Sequence, residues 1–232
     1  MSNYEVRSAT VEDADAIGGI IKAVWPDSQI NIDRIENVIS NTEHSTMVVT
    51  LEGALAGFVD GFMTTSVDSS RRWEVDLLAV DPQYQRRGIA ASLVIANTQE
   101  GFQRGATLAR GLVAIDNVGS QKSFKRCGYK LDETICDLFV CTSRSHESPR
   151  QIEATKAFIF AVQTMNYTGL WIEGDRVSKS FEQGKLQLAT TDYDLVGAVI
   201  PENEEELIQE SQKIGYERVG RFHWWLHPLI GT

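Results

Sequence analysis

The sequence predicts an α/β fold followed by a smaller α/β segment, and three features carry this prediction. Residues 73–80 form an apolar run that leads through a Pro-containing turn and a basic loop into a helix beginning near Gly88. Residues 108–127 repeat the order of strand and then helix, and Gly128 suits the position just after a helix end. A polar stretch at 141–150 then separates the rest of the chain.

The other elements of the first part follow from hydrophobic spacing and from residues that begin or end helices. Thr10 suits an N-cap, and the apolar residues after it recur at helical spacing as far as Val24, just before Trp25-Pro26. A second helix is predicted over 32–39. Strands are predicted at 6–9, 46–51, 55–64, 73–80, 108–115 and 129–140, and further helices at 88–104 and 118–127.

The polar stretch is the best domain boundary, and it divides the chain into domains at 1–145 and 146–232. Just after it, Ser148, Pro149 and Gln151 form a capping-box pattern that predicts a new helix. The apolar side of this predicted helix carries Ile152, Ile159, Val162 and Met165.

The C-terminal part holds a candidate internal repeat. One order of elements, a strand, a helix and a Gly-Tyr pair, occurs twice. The first copy is formed by residues 111–117, a helix and Gly128-Tyr129, and the second by residues 197–203, a helix and Gly215-Tyr216. A degenerate copy and a chance similarity between two common units both stay open. No second copy of the basic loop follows Arg150.

Composition excludes several classes of protein. Of the 232 residues, 42% are hydrophobic and 23% charged, as in soluble domains, and no run approaches the ~20 apolar residues of a membrane span. The N-terminus lacks the apolar core of a signal peptide, so we expect a cytoplasmic protein without a membrane partner. Three cysteines without C-x-x-C spacing predict neither a disulfide framework nor a metal site.

The net charge of -10 disfavours nucleic acid as a partner. The charge suits a cationic substrate, but a role in solubility explains it equally well.

The basic loop, residues 81–88, places backbone N–H groups and two arginines at a helix N-terminus, where a diphosphate would be stabilised. It is neither a Walker loop nor a dinucleotide-binding loop, because the required Gly-Lys-Ser/Thr and G-x-G-x-x-G patterns are missing. An ordinary α/β turn with a solvated loop is the alternative.

Residues 85–90, Gln-Arg-Arg-Gly-Ile-Ala, resemble the Q/R-x-x-G-x-G/A signature of the GNAT superfamily of acyl-CoA-dependent N-acetyltransferases. Residues 117–129 are similar to the second family motif, N-x-x-A-x-x-L-Y-x-K-x-G-F. The resemblance covers residues 4–142. It implies a mixed, mostly antiparallel sheet with flanking helices and a splayed central strand pair. It also implies direct transfer of an acetyl group from acetyl-CoA, as co-substrate, to the amine of a small molecule or peptide.

The resemblance also implies a set of cofactor contacts. The strand end would bind the pantetheine arm as an added strand would, the loop and helix start would bind the pyrophosphate, and the second motif would add further contacts. These residues are Leu78, Ala79, Val80, Gln85, Arg86, Arg87, Gly88, Ile89, Ala90, Ala91, Asn117, Ser120 and Phe124.

Glu74 is the leading candidate for the general base, because its position matches the base of histone-acetylating family members. It could instead bind the amine or do neither, and Asp76 is the second candidate. Strand alternation predicts that Glu74, Asp76, Leu78 and Val80 share one face. Phe124 stands where many family members have the tyrosine thought to protonate the thiolate, so we expect solvent to do so here.

The last segment is rich in aromatic residues. Trp171, Phe222, Trp224 and Trp225 are too many for a small core, so we expect them to pack against the first domain or a second subunit, near the acceptor side. A homodimer is left open. His223 and His227 lie four residues apart on a predicted strand, too far apart for chelation, and packing explains them better than a metal site. A non-catalytic acyl-CoA sensor and an interaction protein remain the alternatives to an enzyme.

Overall fold

The structure is a computed structural model that describes residues 4–142 and 156–229. Within these ranges, no helix has both the length and the apolar character needed to cross a membrane. The first part of the chain contains β1 (Glu5–Ser8), α1 (Ala14–Val24), α2 (Ile32–Ser40), β2 (Met47–Leu51), β3 (Ala54–Thr65), β4 (Arg71–Val80), α3 (Ile89–Gln103), β5 (Leu108–Ala114), α4 (Val118–Arg126), β6 (Lys130–Leu131) and β7 (Cys136–Cys141).

The second part continues the same alternation of strands and helices. It contains β8 (Ala157–Gln163), β9 (Thr168–Gly174), α5 (Ser178–Ala189), β10 (Leu195–Pro201), α6 (Glu205–Ile214) and β11 (Glu217–Pro228). The mixed, mostly antiparallel sheet with flanking helices confirms the predicted fold class.

All of these strands belong to one open, 11-stranded sheet with the order β1-β2-β3-β4-β5-β11-β7-β10-β9-β8, and β6 also pairs with β11. The order is palindromic about the β11–β7 pair. On each side of that pair lies a parallel pair, β4 with β5 and β9 with β10, and each is extended by an antiparallel strand. The two parts exchange their last strands. The last strand of the second part, β11, pairs with β5 of the first part, and the last strand of the first part, β7, pairs with β10 of the second.

The recurrence of strand, helix and Gly-Tyr seen in the sequence corresponds to equivalent packing. Gly128 and Gly215 both adopt positive φ after their helices, 86° and 102°. The buried hydroxyl of Tyr129 bonds to Thr98 on α3, and that of Tyr216 donates to the Phe181 carbonyl on α5. The two-domain division at residue 145 stays a prediction, but the sheet shows that the two parts share their hydrogen-bond ladders.

The helix predicted from Ser148 is wrong where the structure describes it. Its first residues lie outside the described ranges, but Ile159 and Val162 lie on β8, which pairs with β9 over its whole length. Residues 157–163 are rich in aromatic and β-branched side chains, which favour a strand. This preference prevails over the apolar spacing that suggested a helix.

A bulge in the β3–β4 pair also corrects the predicted faces of β4. Val59 lies opposite Leu78 and Gly61 opposite Val75, so β4 carries one more residue than β3 between these two pairs. Trp73 and Val75 pack in the same core as Leu78 and Val80, whereas Leu77 and Ala79 pack on the α1–α2 side. The prediction that Glu74, Asp76, Leu78 and Val80 share one face is therefore wrong, because the bulge reverses the alternation after Asp76.

The core of the first part includes a side chain from the end of the chain. Trp225 is 5% exposed and packs with Phe124, Tyr129 and Val113 between the sheet and α3–α4. It reaches this core because β11 pairs with β5 from Phe222 to Pro228. Trp225 thus packs against the first part, as the sequence predicted, and so does Trp224, whose ring lies under the Arg110 guanidinium; for Trp171 and Phe222 this packing stays a prediction.

We predict that Trp225→Ala lowers the free energy of unfolding of the whole chain by about 3–5 kcal/mol, because it opens a cavity in the first part's core. The matched control is Val219→Ala on the same strand, where the side chain is 58% exposed and the change should stay within about 0.5 kcal/mol. Urea unfolding followed by circular dichroism measures both. A Trp225→Ala protein as stable as the control would contradict this packing.

Candidate functional site

A long groove runs from the end of β4 to the starts of α3 and α4. It encloses 1330 Å³, including the part open to solvent. Predicted cofactor residues border it: Leu78, Ala79, Val80, Gln85, Arg86, Gly88, Ile89, Ala90, Ala91, Asn117 and Ser120. The groove adds residues that the motifs did not indicate, including Trp25, Tyr84, Lys122 and Arg126.

The loop between β4 and α3 is shaped for close backbone approach. Asp81 accepts a hydrogen bond from the Gln83 N–H at 2.8 Å, which fixes the turn. Arg86 and Gly88 then both adopt positive φ, 64° and 85°. This conformation presents backbone N–H groups at the start of α3, where the helix dipole favours an anion. Arg86, Lys122 and Arg126 add positive charge around the same groove.

Two predicted cofactor residues lie outside the lining of this groove. The guanidinium of Arg87 is 5.6 Å from the centre of the Tyr84 ring, in a cation–π position. Phe124 is 3% exposed and packs edge-on against Tyr129, and a Cβ at Gly111 would lie 2.5 Å from its ring. Phe124 therefore lies beneath β5, where β5 leaves β4, and its contact with a cofactor stays a prediction.

The central strands separate as the resemblance implied. The parallel pairing of β4 with β5 covers only three residue pairs, the last being Glu74 with Arg110. Both strands continue beyond this pair, and each keeps its other neighbour. Backbone groups of β4 after Glu74 that face β5 therefore lack a strand partner and can bind an extended amide chain.

A second cavity, which we call the acceptor cavity, lies on the other side of the gap and holds 550 Å³, including the part open to solvent. It is lined by Phe62, Thr64, Glu74, Val75, Asp76, Arg110, Gly111, Leu112, Phe160, Val162, Tyr167, Trp171, Glu173 and Trp224. Both candidate bases border it, and so do Trp171 and Trp224, which the sequence placed near the acceptor side. Six of these residues come from the second part of the chain.

Glu74 is held in a network of ion pairs. The Arg110 Nε donates to both of its carboxylate oxygens, at 2.8 and 2.9 Å, and the Thr64 hydroxyl donates to one of them. Glu173 pairs with Arg72 at 2.8 Å and with Arg110 at 2.5 Å. Burial opposes these charges, but the partners outweigh it: the pKa of Arg110 is raised and the pKa of Glu173 is lowered. The network surrounds the Glu74 carboxylate with hydrogen-bond donors, so few of its lone pairs are left for a substrate proton.

Asp76 has a different environment two residues further along β4. None of the described cationic side chains forms an ion pair with it. Asp76 is an exposed residue, but protein atoms crowd around its carboxyl group where it faces the cavity and weaken its hydration. This burial, reinforced by the charge of Asp60 and opposed by His44, raises the pKa of Asp76 to about 7. A carboxyl group with this pKa can exchange a proton near neutral pH.

A buried polar cluster around Asp60 of β3 lies next to Asp76. Asp60 accepts hydrogen bonds from the Thr46 hydroxyl at 2.9 Å and lies 2.8 Å from His44 Nδ1. Asp60 is fully buried, and His44 is 7% exposed. Asp60 lies between Val59 and Gly61, opposite the bulge that contains Asp76. The bulge thus brings two carboxyl groups close together, and this proximity helps to keep one of them protonated.

The groove and the acceptor cavity border neighbouring stretches of β4, at and beyond its bulge. Leu78 borders the groove and Asp76 borders the cavity, only two residues apart. A thioester lying along β4 and an amine lying in the cavity would approach each other here, beside the carboxyl group with the raised pKa.

The sequence missed most of the acceptor cavity. Phe160, Tyr167 and Glu173 reach it because β9 and β8 follow β10 in the sheet. Arg110 carried a weak signal of a functional role, because it is a charged residue inside the strand predicted at 108–115. His223 and His227 lie on a strand as predicted, and each imidazole lies within hydrogen-bond distance of a backbone carbonyl. No group of His, Cys, Asp or Glu with metal-binding geometry occurs within 4–142 and 156–229.

Comparisons with known proteins agree with this geometry. The model of the acetyltransferase (GNAT) family matches residues 12–129. A crystal structure of a putative acetyltransferase from Pyrococcus horikoshii is 13% identical, with a TM-score of 0.65 over 99% of this chain and 91% of that chain. The glucosamine N-acetyltransferase region of a fungal multi-domain GH3 β-N-acetylglucosaminidase is 12% identical, with a TM-score of 0.64 over 98% of this chain and 38% of that chain.

A shorter match covers only the first part. The aminoglycoside N-acetyltransferase AAC(6')-Iy, in complex with a bisubstrate analogue of CoA and acetylneamine, is 21% identical, with a TM-score of 0.51 over 56% of this chain and 92% of that chain. No curated protein matched the sequence. At these identities the structural matches establish the fold alone. The family model, however, spans half of the chain, and the two motifs frame the groove. The chain therefore belongs to the GNAT acetyltransferase family.

Proposed function

We propose that the protein is an N-acetyltransferase that transfers an acetyl group from acetyl-CoA to a cationic amine by direct attack. One observation carries the proposal: an acidic, aromatic cavity and a basic groove border neighbouring stretches of β4, where β4 and β5 separate, and Asp76 lines the cavity there. An amine acceptor also fits the AAC(6')-Iy match, whose bisubstrate analogue joins CoA to an amine.

The groove suits coenzyme A in charge and shape. The backbone N–H groups from Arg86 to Ala91, with Arg86 nearby, would bind the pyrophosphate. The open edge of β4 from Leu78 to Val80 would pair with the pantetheine amides. Lys122 and Arg126 offer further positive charge on α4.

Asp76 is the better candidate for the general base. Glu74 is already engaged by Arg110 and Thr64, whereas Asp76 has no ion-pair partner among the described residues. In its ionised form, Asp76 would accept a proton from the ammonium, directly or through a water. Glu74 would then hold Arg110 and the cavity wall in place as a positioning residue.

The transfer step balances without any other reagent. The neutral amine nitrogen forms a bond to the thioester carbonyl carbon, the nitrogen loses its second proton to solvent, the C–S bond breaks, and the coenzyme leaves as a thiolate. Neither Cys127 nor Tyr129 suits an acid role, because burial raises the pKa of the Cys127 thiol to about 11 and raises the pKa of Tyr129 as well. Solvent therefore protonates the thiolate.

A non-catalytic acyl-CoA-binding protein is the competing function, favoured by the phenylalanine at position 124. The test is release of the coenzyme thiol from acetyl-CoA in the presence of a panel of primary amines. Amine-dependent release supports the enzyme, and CoA binding without release on any amine supports the sensor.

We predict that Gly88→Val abolishes the rise in melting temperature that coenzyme A gives the parent protein. A side chain at this position would occupy the site of backbone approach to the pyrophosphate. Gly53→Val is a matched control, because Gly53 also has positive φ, 82°, but lies in a turn remote from the groove with open space around it. A Gly88→Val protein that folds and keeps the full shift would exclude the loop as the binding site.

We predict that Asp76→Asn lowers kcat by about 10²-fold or more while leaving acetyl-CoA binding unchanged, because the amide cannot accept the proton. In the parent protein kcat/KM should rise as the pH rises through about 7, where Asp76 loses its proton. This rise of kcat/KM with pH should disappear in Asp76→Asn and persist in Glu74→Gln. If the rise is lost in Glu74→Gln alone, the base role returns to Glu74.

The raised pKa of Asp76 also predicts a pH dependence of stability. Between the ordinary value of 3.8 and about 7, the folded state holds a proton that the unfolded state has released. The contribution of Asp76 to the free energy of unfolding should therefore fall as pH rises through this window. The free energy of unfolding of Asp76→Asn and of the parent is measured with urea from pH 4 to pH 8. The difference between the two should grow up to about pH 7, with the variant becoming more stable relative to the parent. Parallel curves would show that the Asp76 pKa is ordinary.

A further inference from the structure

We infer that the acceptor cavity selects a primary monoamine on an apolar body, aromatic or aliphatic, and rejects acceptors that carry a second charge. The inference rests on the proposed function and deepens it, because it names the chemical class of the acceptor. It is carried by the walls of the cavity and by the pairing of the charges within it.

The walls of the cavity are largely aromatic. The rings come from Phe62 on β3, Phe160 on β8, Tyr167 just before β9, Trp171 on β9 and Trp224 on β11. Trp171 Nε1 donates a hydrogen bond to the Tyr167 hydroxyl at 3.1 Å, which fixes these two rings relative to each other. Such walls favour an apolar body on the acceptor. The concave shape of the cavity suits a small molecule better than a folded protein surface.

Most of the charge in the cavity is already neutralised. The carboxylates of Glu74 and Glu173 are balanced by Arg72 and Arg110, and all four side chains are between 8 and 18% exposed. The Arg110 guanidinium also lies over the Trp224 ring, 4.1 Å from its centre. A substrate cation that displaced one of these arginines would break two ion pairs to form one. The network therefore offers neither a free anion nor a free cation to a substrate.

Asp76 is the one carboxyl group lining the cavity that no described cation engages. It can pair with one ammonium and then accept its proton. A second ammonium would lie against aromatic rings without a carboxylate, and a substrate carboxylate would find both arginines occupied. Burying such an unpaired charge is costly, so dications and amino acids should be poor acceptors.

The test compares three acceptors that share one six-carbon chain: hexylamine, hexane-1,6-diamine and 6-aminohexanoate, with 2-phenylethylamine as an aromatic monoamine. Thiol release from acetyl-CoA is measured with each. We expect kcat/KM for the two monoamines to exceed that for the diamine and the amino acid by about tenfold or more, a difference that one unpaired buried charge readily supplies. A diamine or amino acid that equals or exceeds hexylamine would overturn the inference and leave the proposed function standing.

Binding separates this inference from the proposed function. The melting temperature of the CoA-saturated protein is measured with each of the same amines. If no amine releases thiol but the monoamines alone raise the melting temperature, the selectivity stands and the acetyltransferase activity fails. If no amine releases thiol and the monoamines give no larger shift than the diamine, the inference is overturned as well.

Two neighbouring phenylalanines on β8 supply a matched pair of variants. Phe158 and Phe160 stack at 5.1 Å on the same face of the strand, but only Phe160 lines the cavity. Phe160→Ala should raise KM for 2-phenylethylamine about tenfold with little change in kcat, because a wall of the amine site is lost. Phe158→Ala should change KM less than about twofold. Equal effects of the two substitutions would show that Phe160 acts through strand stability and not through contact with the acceptor.

Discussion

The insertion of β11 between β5 and β7 is the constraint on which the rest of the structure depends. Because β11 satisfies one edge of β5 from Leu108 to Ala114, β5 can leave β4 after Arg110 and still keep a full ladder. The gap proposed to hold the acyl-CoA arm therefore depends on the last strand, which replaces the pairing that β5 gives up. The same strand brings Trp225 into the core of the first part and Trp224 to the acceptor cavity, so folding and site formation depend on one long-range pairing.

The bulge opposite Asp60 determines the electrostatics of the site. Without the extra residue on β4, Leu78 would stay on the face of Glu74 and Asp76 and would not pack in the core with Trp73 and Val75. With it, Asp76 lies beside Asp60 and away from the arginines that hold Glu74. Two carboxyl groups two residues apart thus acquire opposite roles, one fixed as an ion-pair partner and one poised near neutral pH, because their surroundings differ.

Local features of this protein could be predicted from its sequence, and long-range ones could not. The loop at Gly88, the cap at Asn117 and the family resemblance depend on adjacent residues, and the structure and family model agree with them. The bulge leaves no mark in the alternation of β4, so the face of Leu78 was predicted wrongly. The apolar residues of β8 fit a helix pattern equally well, and only pairing with β9 decides between them. Tyr167 and Glu173 approach Asp76 through sheet order alone, which no motif encodes.

The palindromic sheet raises the question of whether the second part holds a cofactor site of its own, and charge argues that it does not. The groove between the starts of α5 and α6 occupies the place that corresponds to the starts of α3 and α4. It is lined by Glu204, Glu205, Glu206 and Glu210, with Arg176 as its basic residue. A diphosphate would meet repulsion there, whereas Arg86, Lys122 and Arg126 attract it in the first part. The second part therefore contributes strands and cavity walls, and its likeness to the first ends at the basic residues of the groove.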